Sequence, residues 1–303
     1  MSQEPNIMEQ KQVSTLRAWV MAARPKTLAA AAIPVLVGTA VAVDEQAFVL
    51  WAALAAFVGA GLIQIGTNFA NDYFDAESGA DNEDRLGPTR VVQAGLLSAK
   101  AVKRATAVTF GAAFLVGAYL IAIGGWPILV IGIASILSGL AYTGGPYPLG
   151  YNGLGEVFVF IFFGLVAVMG THYVQALSWS SEALIAAVPI GLLSTAILVV
   201  NNYRDIDTDR EAGKNTLAVR FGASATRWQY ALLVGGAYAV PLLQWALFGA
   251  STWLLLPLLS LPLAAVTTRQ MWQKEGTSLN PVLARTAGVL TVFGILYSVG
   301  YML

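Results

Sequence analysis

Nine long apolar stretches constrain this chain more than any other feature of its sequence. Each is about as long as the roughly 17 to 25 apolar residues that cross the hydrocarbon core of a bilayer as one helix. The composition agrees, because 57% of the 303 residues are hydrophobic and 11% are charged, whereas soluble domains carry about 25% charged residues. The sequence therefore predicts an all-α polytopic membrane protein with nine transmembrane helices. Their expected positions are 27–43, 48–71, 104–124, 126–143, 154–173, 183–203, 229–248, 252–268 and 281–302.

The chain before the first apolar stretch is polar. Residues 1–23 are predicted to form a cytoplasmic N-terminal tail with a short interfacial helix from about Leu16 to Ala23. This tail has no hydrophobic core of its own, so no cleavable signal peptide is expected. Arg24-Pro25-Lys26-Thr27 breaks the pattern and starts the first helix, which makes residues 24–303 the predicted transmembrane domain.

The chain has no cysteine and a single histidine, His172. Disulfides and thiolate sites are therefore excluded, and so is a metal site built on several histidines. We interpret His172 as a structural residue, because it falls at the outer end of the fifth apolar stretch.

The basic residues sort to one side of the predicted helices. With nine spans and a cytoplasmic N-terminus, all 17 Lys and Arg residues fall in cytoplasmic segments or at the helix ends beside them. The turns on the other side carry only Asp44, Glu45 and Glu182. Because positive charge is retained in cytoplasmic loops, we predict a multi-pass protein of a bacterial inner membrane with its N-terminus in the cytoplasm. Membrane lipid is its expected surrounding, and no nucleic-acid partner is expected.

Two related motifs occur where apolar stretches end. Asn71-Asp-Tyr-Phe-Asp75 follows the second stretch and Asn201-Asn-Tyr-Arg-Asp205 follows the sixth, with a spacing of 130 residues between Asn71 and Asn201. The orientation places both motifs at the cytoplasmic face. The spacing suggests two similar four-helix units followed by a ninth helix.

Each motif arranges polar side chains on one helix face, since residues three and four apart are neighbours on a helix. One stripe contains Gln64, Asn68, Asn71, Asp72 and Asp75, and the other contains Asn201, Asn202, Asp205 and Asp209. Ionisable groups at membrane depth usually face a bundle interior or a water-filled cavity. Mg²⁺ binds oxygen ligands, commonly one or two carboxylates together with substrate phosphates. We therefore predict that Mg²⁺ ions bridge a diphosphate to both helices; the alternative is a set of solvated acids near helix ends.

Basic and aromatic residues near the motifs fit an anionic ligand. Candidate phosphate-binding side chains are Arg24, Lys26, Arg85, Arg90 and Lys214, although the orientation rule explains most cytoplasmic cations without any ligand. Tyr142 could face the bound cation or phosphate, or it could be an ordinary interfacial tyrosine. Glu156 could orient a basic residue, or it could be an interfacial acid.

Taken together, these strings resemble a known family. Two Asp-rich motifs are typical of the UbiA superfamily of intramembrane prenyltransferases, and the fuller strings are similar to its 1,4-dihydroxy-2-naphthoate polyprenyltransferases. The strings that carry the resemblance are Arg24-Pro-Lys-Thr-Leu28, Asn71-Asp-Tyr-x-Asp75, Gly79-x-Asp81, Asp84-Arg-x-Gly-Pro88, Tyr142-Thr-Gly-Gly-Pro146, Pro148-Leu-Gly-Tyr151, Gly153-Leu-Gly-Glu156, Asn202-x-x-Asp205 and Asp209-Arg-x-x-Gly-Lys-Asn-Thr216.

The resemblance implies nine helices around a central cavity that opens laterally to lipid. It also implies Mg²⁺-assisted transfer of a polyprenyl group from polyprenyl diphosphate to 1,4-dihydroxy-2-naphthoate, with loss of the ring carboxylate to give demethylmenaquinone. The implied metal ligands are Asp72, Asp75, Asp81, Asp205 and Asp209, all but Asp81 also being catalytic. Gly79 departs from the general superfamily pattern, which has an acid there, so Asp81 is the third acid of the first motif. The implied substrate-binding residues are Arg24, Lys26, Asn68, Asn71, Arg85, Arg90, Tyr142, Asn201, Asn202 and Lys214.

Two alternative functions remain open at this stage. A 4-hydroxybenzoate or homogentisate prenyltransferase would share the Asp-rich motifs but is disfavoured by Gly79-x-Asp81 and by Gly213-Lys-Asn-Thr216. An ion-coupled transporter would also use paired acids, but its discontinuous helices at the bilayer midplane are not evident. A CDP-alcohol phosphotransferase is disfavoured, because it would need acids and an Ala-Arg pair in one contiguous helical motif, and the sequence has none.

Overall fold

A computed structural model of the chain describes residues 13–79, 86–87 and 89–303. These residues form helices and connecting turns, with no β-strand among them, which confirms the predicted all-α class. A π-helical segment, Phe160–Val166, joins α6 to α7, and a 3₁₀ helix, Thr252–Ser260, leads into α11. The α-helices are α1 (Thr15–Ala23), α2 (Leu28–Asp44), α3 (Leu50–Glu77), α4 (Ala99–Gly124), α5 (Trp126–Ala141), α6 (Gly155–Val159), α7 (Ala167–Ala176), α8 (Ser181–Arg204), α9 (Ile206–Glu211), α10 (Leu217–Phe248), α11 (Leu261–Gln273) and α12 (Asn280–Met302).

Eight helical stretches of the described residues are long and apolar enough to cross a membrane. They are Thr15–Asp44, Leu50–Glu77, Ala99–Gly124, Gly155–Ala176, Ser181–Arg204, Leu217–Phe248, Thr252–Gln273 and Gly276–Met302. The remaining predicted span corresponds to α5, an apolar helix of 16 residues. The protein is thus a multi-pass membrane protein, and the predicted number of nine depends on whether α5 crosses.

The chain turns sharply between α1 and α2. Arg24 has φ 51° and ψ 68°, in the left-handed region, and its amide donates to the Met21 carbonyl as α1 ends. Pro25 begins a short 3₁₀ turn and fixes the direction in which α2 starts. The turn folds α1 back onto α3, where the Trp19 ring meets the Phe69 ring edge-on.

Helix α8 is the centre of the bundle. It packs against α2, α10, α12 and the π-helical segment, and about two thirds of its most apolar stretch is buried. Glycines allow the closest approach, since a Cβ on Gly164 would lie 2.6 Å from the Gly191 Cα. Because the bundle surrounds α8, the acidic motif at its end lies inside the protein.

Two helices extend further than the hydropathy pattern predicts. Helix α3 continues to Glu77, so the first motif lies on regular helix. Helix α10 begins at Leu217, twelve residues before the predicted span, after Thr216 caps its first turn. It is kinked at Gly222, whose φ of 78° is unfavourable for residues with a side chain.

Two of the acids predicted for the other side of the membrane, Glu45 and Glu182, form hydrogen bonds with polar side chains. His172 Nε2 lies 2.8 Å from Glu45 Oε2, so the histidine packs against one of these acids as a structural residue would. At α8, Glu182 accepts hydrogen bonds from Gln244 Nε2 at 2.6 Å and from the Tyr301 hydroxyl at 2.7 Å. Both clusters join the ends of separate helices.

Candidate active site

The two Asp-rich motifs meet across a cavity of about 260 Å³ at one end of the bundle. We call it the acidic cavity, because Asp75 of α3, Asp205 after α8 and Asp209 of α9 all line it. The structure thus brings together the motif ends that lie 130 residues apart in the chain. Seven further predicted residues line the same space: Arg24, Asn71, Arg90, Tyr142, Asn201, Asn202 and Lys214.

Asp75 is held by one cation and one hydroxyl. Its carboxylate forms an ion pair with the Arg90 guanidinium and also accepts a hydrogen bond from the Tyr151 hydroxyl. All three residues line the acidic cavity, while the Asp75 side chain is only 2% exposed. A buried carboxylate of this kind is costly without such partners.

Asp72 has a different environment. Its two carboxylate oxygens accept hydrogen bonds from the backbone amides of Val91 and Val92, at 3.2 and 3.1 Å. It is 1% exposed and does not line the acidic cavity. Asp72 therefore anchors the segment that carries Arg90 against α3, which places the guanidinium beside Asp75.

Asp205 forms an ion pair with Arg204, the residue before it. Arg204 Nε and Nη2 donate to the two carboxylate oxygens of Asp205 at 2.8 and 2.6 Å. The same guanidinium donates hydrogen bonds to the side-chain oxygens Oδ1 of Asn201 and Asn280. This bidentate pair is geometrically specific and ties the second motif to the start of α12.

Asp209 and Lys214 complete the second motif. Lys214 Nζ lies 3.4 Å from Asp209 Oδ1 and 4.7 Å from the centre of the Tyr151 ring. The Asn215 amide donates to the Tyr151 carbonyl at 2.7 Å. Tyr151 thus connects the two motifs, because its hydroxyl reaches Asp75 and its ring and backbone reach the segment after Asp209.

The amide residues of the first motif divide between two roles. Asn71 lines the acidic cavity and accepts a hydrogen bond from Thr143 Oγ1 at 2.9 Å. Asn68 instead donates to the Ala23 carbonyl and to Thr27 Oγ1, so it secures the turn after α1. Gln64 Nε2 joins the same network through Thr27.

Asp72 and Asn68 do not line the acidic cavity, although Asn68 lines the neighbouring apolar cavity described below. Three further predicted site residues are not placed in the acidic cavity. Lys26 is exposed and is not among the residues that line the acidic cavity. Asp81 and Arg85 lie outside the described residues.

A second cavity, of about 330 Å³, adjoins the first, and we call it the apolar cavity. Residues of α3, α4, α5 and the π-helical segment supply most of its wall, and most of them are apolar. The residues that line both cavities are Gln64, Asn71, Tyr142, Val159 and Phe163. The two spaces therefore lie side by side, one lined by charged groups and the other mainly by hydrocarbon.

Sequence reasoning gave no role to two residues of this site, Arg204 and Tyr151, and did not predict the partner of Glu156. Arg204 and Tyr151 contact Asp205 and Asp75, yet neither pairing follows from sequence spacing. Glu156 was expected to orient a basic residue if it was functional, but it is buried and its Oε1 accepts from Asn202 Nδ2 at 2.9 Å. The one signal available was that Tyr151 and Glu156 fall within strings that carry the family resemblance.

The donors around the acidic cavity suit a hard divalent cation. Carboxylates and amide oxygens are the ligands that Mg²⁺ prefers. Within the described ranges, however, no three acids or histidines gather closely enough to hold a metal ion by themselves. The residues present therefore fit Mg²⁺ if each ion takes one or two carboxylates and further oxygens from a bound phosphate group, as Mg²⁺ sites commonly do.

Comparison with known proteins gives consistent relatives. Residues 31–289 match the family described as the UbiA prenyltransferase family. The chain is 39% identical over 305 aligned positions to a 1,4-dihydroxy-2-naphthoate octaprenyltransferase of Escherichia coli (strain K12), with 98% of each protein covered. It is 41% identical over 279 positions to a Mycobacterium leprae protein of the same name, with 91% of this chain and 93% of the relative covered.

Solved structures resemble the fold at low sequence identity. A UbiA homolog from Aeropyrum pernix K1 in its apo form superposes with a TM-score of 0.71 at 15% identity, covering 89% of this chain and 97% of the other. A UbiA homolog from Archaeoglobus fulgidus, bound to GPP and Mg²⁺, gives a TM-score of 0.66 at 14% identity, covering 94% and 99%. At these identities the likeness bears on the fold alone.

Proposed function

The chain belongs to the UbiA prenyltransferase family, and from this premise we propose that it transfers a polyprenyl group from polyprenyl diphosphate to 1,4-dihydroxy-2-naphthoate. The carbon–oxygen bond to diphosphate breaks, a ring carbon–prenyl bond forms, and the ring carboxylate leaves as CO₂. The product is demethylmenaquinol, the reduced form of demethylmenaquinone, which places the reaction in menaquinone biosynthesis. The naphthoate acceptor is supported by relatives that carry this activity in their names and align along nearly the whole chain.

One observation carries the proposal. Two acidic helix ends, from α3 and from α8 with α9, line the acidic cavity, and this cavity adjoins the apolar cavity. A polyprenyl diphosphate has the same two chemistries, an anionic head and a hydrocarbon tail. We propose that the head lies among Asp75, Asp205 and Asp209 and that the tail lies in the apolar cavity.

The cations of the acidic cavity are proposed to hold the leaving group. Arg90 and Lys214 lie beside Asp75 and Asp209, and Arg24 lines the same wall. Arg can grip phosphate through two donors, whereas Lys acts as a point charge. Fixed positive groups aimed at oxygens that gain charge stabilise a transition state without reorganising when the bond breaks. When bound, Mg²⁺ would supply Lewis-acid neutralisation of the diphosphate.

Tyr142 lies at the boundary between the two cavities, where the allylic carbon of the substrate is expected. It lines both spaces, and an aromatic face attracts positive charge. We propose that Tyr142 faces the cationic carbon that forms as the carbon–oxygen bond breaks. The apolar walls around Phe163 exclude water, so the aromatic acceptor is the nucleophile that remains.

The location and orientation of the protein are proposed from charge alone. The cytoplasmic leaflet of a bacterial inner membrane would face the acidic cavity, with the N-terminus on the same side. The lipid substrate would enter from the membrane, and the other substrates would enter from the cytoplasm.

The test is a transfer assay with purified protein. We expect incubation with Mg²⁺, a polyprenyl diphosphate and 1,4-dihydroxy-2-naphthoate to give a decarboxylated, prenylated product, identified by mass. Parallel reactions with 4-hydroxybenzoate and homogentisate, and a reaction with chelator in place of Mg²⁺, serve as controls. Preferred transfer to either alternative acceptor would overturn the naphthoate assignment, and full turnover in chelator would overturn the metal requirement.

A further inference from the structure

Glu156 is the buried acid of the site region that the proposed chemistry does not use. It lies in α6 and is 5% exposed, and it does not itself line the acidic cavity. Its Oε1 accepts a hydrogen bond from Asn202 Nδ2. Its Oε2 is buried and has no hydrogen-bond partner among the described residues. A buried carboxylate that is only half satisfied is unfavourable for stability, so a purely structural origin explains it poorly.

The Glu156 contact fixes the orientation of the Asn202 side chain. The two ends of an asparagine amide are distinguished by their hydrogen bonds. A carboxylate can only accept, so the amide must turn its NH₂ group toward Glu156 and its carbonyl oxygen away. In the described part of the chain, Asn202 Oδ1 accepts no hydrogen bond. Unlike Glu156 Oε2, this oxygen is not fully buried. Because Asn202 lines the acidic cavity, this oxygen is open to whatever binds there.

The surroundings of Asn202 favour an aromatic ligand. Leu198 and Ser194 precede Asn202 by one and two helical turns on α8, and both line the same cavity. Tyr142 and Phe163 supply aromatic walls nearby. Asn201, by contrast, is bonded to Arg204 among the charged groups. Ser194 Oγ is also buried without a hydrogen-bond partner among the described residues. Apolar and aromatic side chains with a few polar groups, here Asn202 and Ser194, are the usual lining of a site for a small molecule.

We propose that Glu156 is a positioning residue: it holds the Asn202 amide so that Asn202 Oδ1 accepts a hydrogen bond from a ring hydroxyl of the aromatic acceptor. This inference rests on the proposed function, since the hydroxyl belongs to the acceptor of that reaction. The hydroxyl is thereby placed against α8, and the ring is placed toward Tyr142, where the allylic carbon is expected. Glu156 thus affects the fit of the aromatic acceptor and leaves the diphosphate site to Arg90 and Lys214.

The first experiment separates the two substrates. For Glu156→Leu, we expect the KM for the aromatic acceptor to rise about tenfold or more, while the KM for polyprenyl diphosphate changes less than twofold. A tenfold change corresponds to about 1.4 kcal/mol, as expected when one hydrogen bond to a charged group is lost. Glu156→Gln keeps a carbonyl that can accept from Asn202, so it is expected to lose less than the leucine variant. Glu211→Gln, an exposed acid on α9, is the matched control.

The second experiment exchanges donor and acceptor between the two residues. Asn202→Asp places a carboxylate against Glu156 and is expected to raise the acceptor KM strongly. Adding Glu156→Gln restores a donor facing the aspartate and leaves the second aspartate oxygen open to the cavity, so the acceptor KM is expected to recover severalfold. This pair also remains informative if Glu156→Leu does not fold. Coupling of this kind is what two contacting residues show in a double-mutant cycle.

The outcomes distinguish this inference from the proposed function. If the wild-type protein prenylates another aromatic acid in place of naphthoate, the proposed function fails, and the variants are measured with the acceptor that reacts. If the wild type prenylates naphthoate but Glu156→Leu raises both KM values equally, Glu156 is only structural and the inference is overturned. Failure of Glu156→Gln to improve Asn202→Asp would also overturn it.

Discussion

Asp75 and Asp209 pair with Arg90 and Lys214 in the acidic cavity. A divalent metal would bind through the negative charge of these two carboxylates. Replacing either by Asn keeps the size of the side chain and removes that charge. If Mg²⁺ and diphosphate bridge the two motifs, turnover should fall roughly a thousandfold, because charge stabilisation by a bound metal is worth several kcal/mol. The same loss is expected for Asp205→Asn. Turnover against Mg²⁺ concentration is the measurement.

The chain offers a matched control for these variants. Asp207 lies between Asp205 and Asp209, but its side chain is 87% exposed and pairs with Arg210. Asp207→Asn should therefore keep near-normal turnover. Well-folded Asp75→Asn and Asp209→Asn proteins with wild-type rates would refute the bridged-metal site.

Asp72 should behave differently from Asp75, because it binds backbone amides and not a cavity ligand. In Asp72→Asn, only one side-chain oxygen remains for two buried amides. The unpaired amide should destabilise the protein by about 1–3 kcal/mol, and turnover should fall about 10 to 100-fold as Arg90 loses its position. The size of the turnover loss distinguishes the two acids, since Asp75→Asn should lose roughly a thousandfold. Equal melting temperatures for Asp72→Asn and wild type would exclude the anchoring role.

Tyr151 joins the two motifs through three different groups, and its hydroxyl can be removed alone. Tyr151→Phe keeps the ring beneath Lys214 and loses the hydrogen bond to Asp75. We expect turnover to fall about tenfold, in line with one hydrogen bond to a charged group. The exposed Tyr147 supplies the control, since Tyr147→Phe should leave turnover unchanged. A wild-type rate for Tyr151→Phe would show that Asp75 does not need this contact.

At the scale of helices, the sequence predicted those parts of the fold that the bilayer itself dictates. The span of α8 was expected at 183–203 and runs from Ser181 to Arg204, because crossing hydrocarbon demands an unbroken apolar run. The early start of α10 was missed, since its first turns carry Arg220 and Arg227 and give no hydropathy signal. The π-helical segment was also invisible, because a change of hydrogen-bond register does not require different residue types.

The site was predictable to a similar extent and for a similar reason. Helical spacing placed Asp75 and Asp209 on polar faces, and the chain orientation placed both faces on one side of the membrane. Spacing cannot reveal which residue from another segment will satisfy a buried acid. The contacts of Tyr151 with Asp75 and of Glu156 with Asn202 depend on the turn after α5, and that turn is set by tertiary packing.

The contact between the π-helical segment and α8 positions one wall of both cavities. A methyl group added at Gly164 would meet the α8 backbone at Gly191 and Ala187, and backbone cannot move as freely as a side chain. Gly164→Ala should therefore destabilise the protein by about 1–3 kcal/mol, the usual cost of overpacking. Gly132→Ala is the control, because a Cβ at Gly132 meets nothing within 4 Å. Equal melting temperatures of the two variants in detergent would contradict this account.

At the scale of the whole molecule, the number of crossings decides where the termini lie. Nine crossings place the N-terminus and the C-terminus on opposite sides, and eight place them on the same side. The deciding helix is α5, whose 16 residues span about 24 Å at 1.5 Å per residue, against roughly 30 Å of hydrocarbon. Trp126 and Tyr142 flank this helix, and aromatic residues are favoured at both membrane interfaces. We therefore expect α5 to cross, with some local thinning of the bilayer.

This expectation fixes the orientation that a reporter should find. When α5 crosses, the sequence pattern assigns all 17 Lys and Arg residues to the side that carries both Asp-rich motifs, so that side should be cytoplasmic and Leu303 should lie outside. A reporter that is active only outside the cytoplasm should work when fused after Leu303 and fail when inserted between α5 and α6, at 146–148. The reverse reporter, active only in the cytoplasm, should give the opposite pattern. Cytoplasmic activity after Leu303 would mean eight crossings or an inverted protein. An insertion between α3 and α4, at the exposed residues 93–95, distinguishes these two cases, because only inversion moves that loop outside.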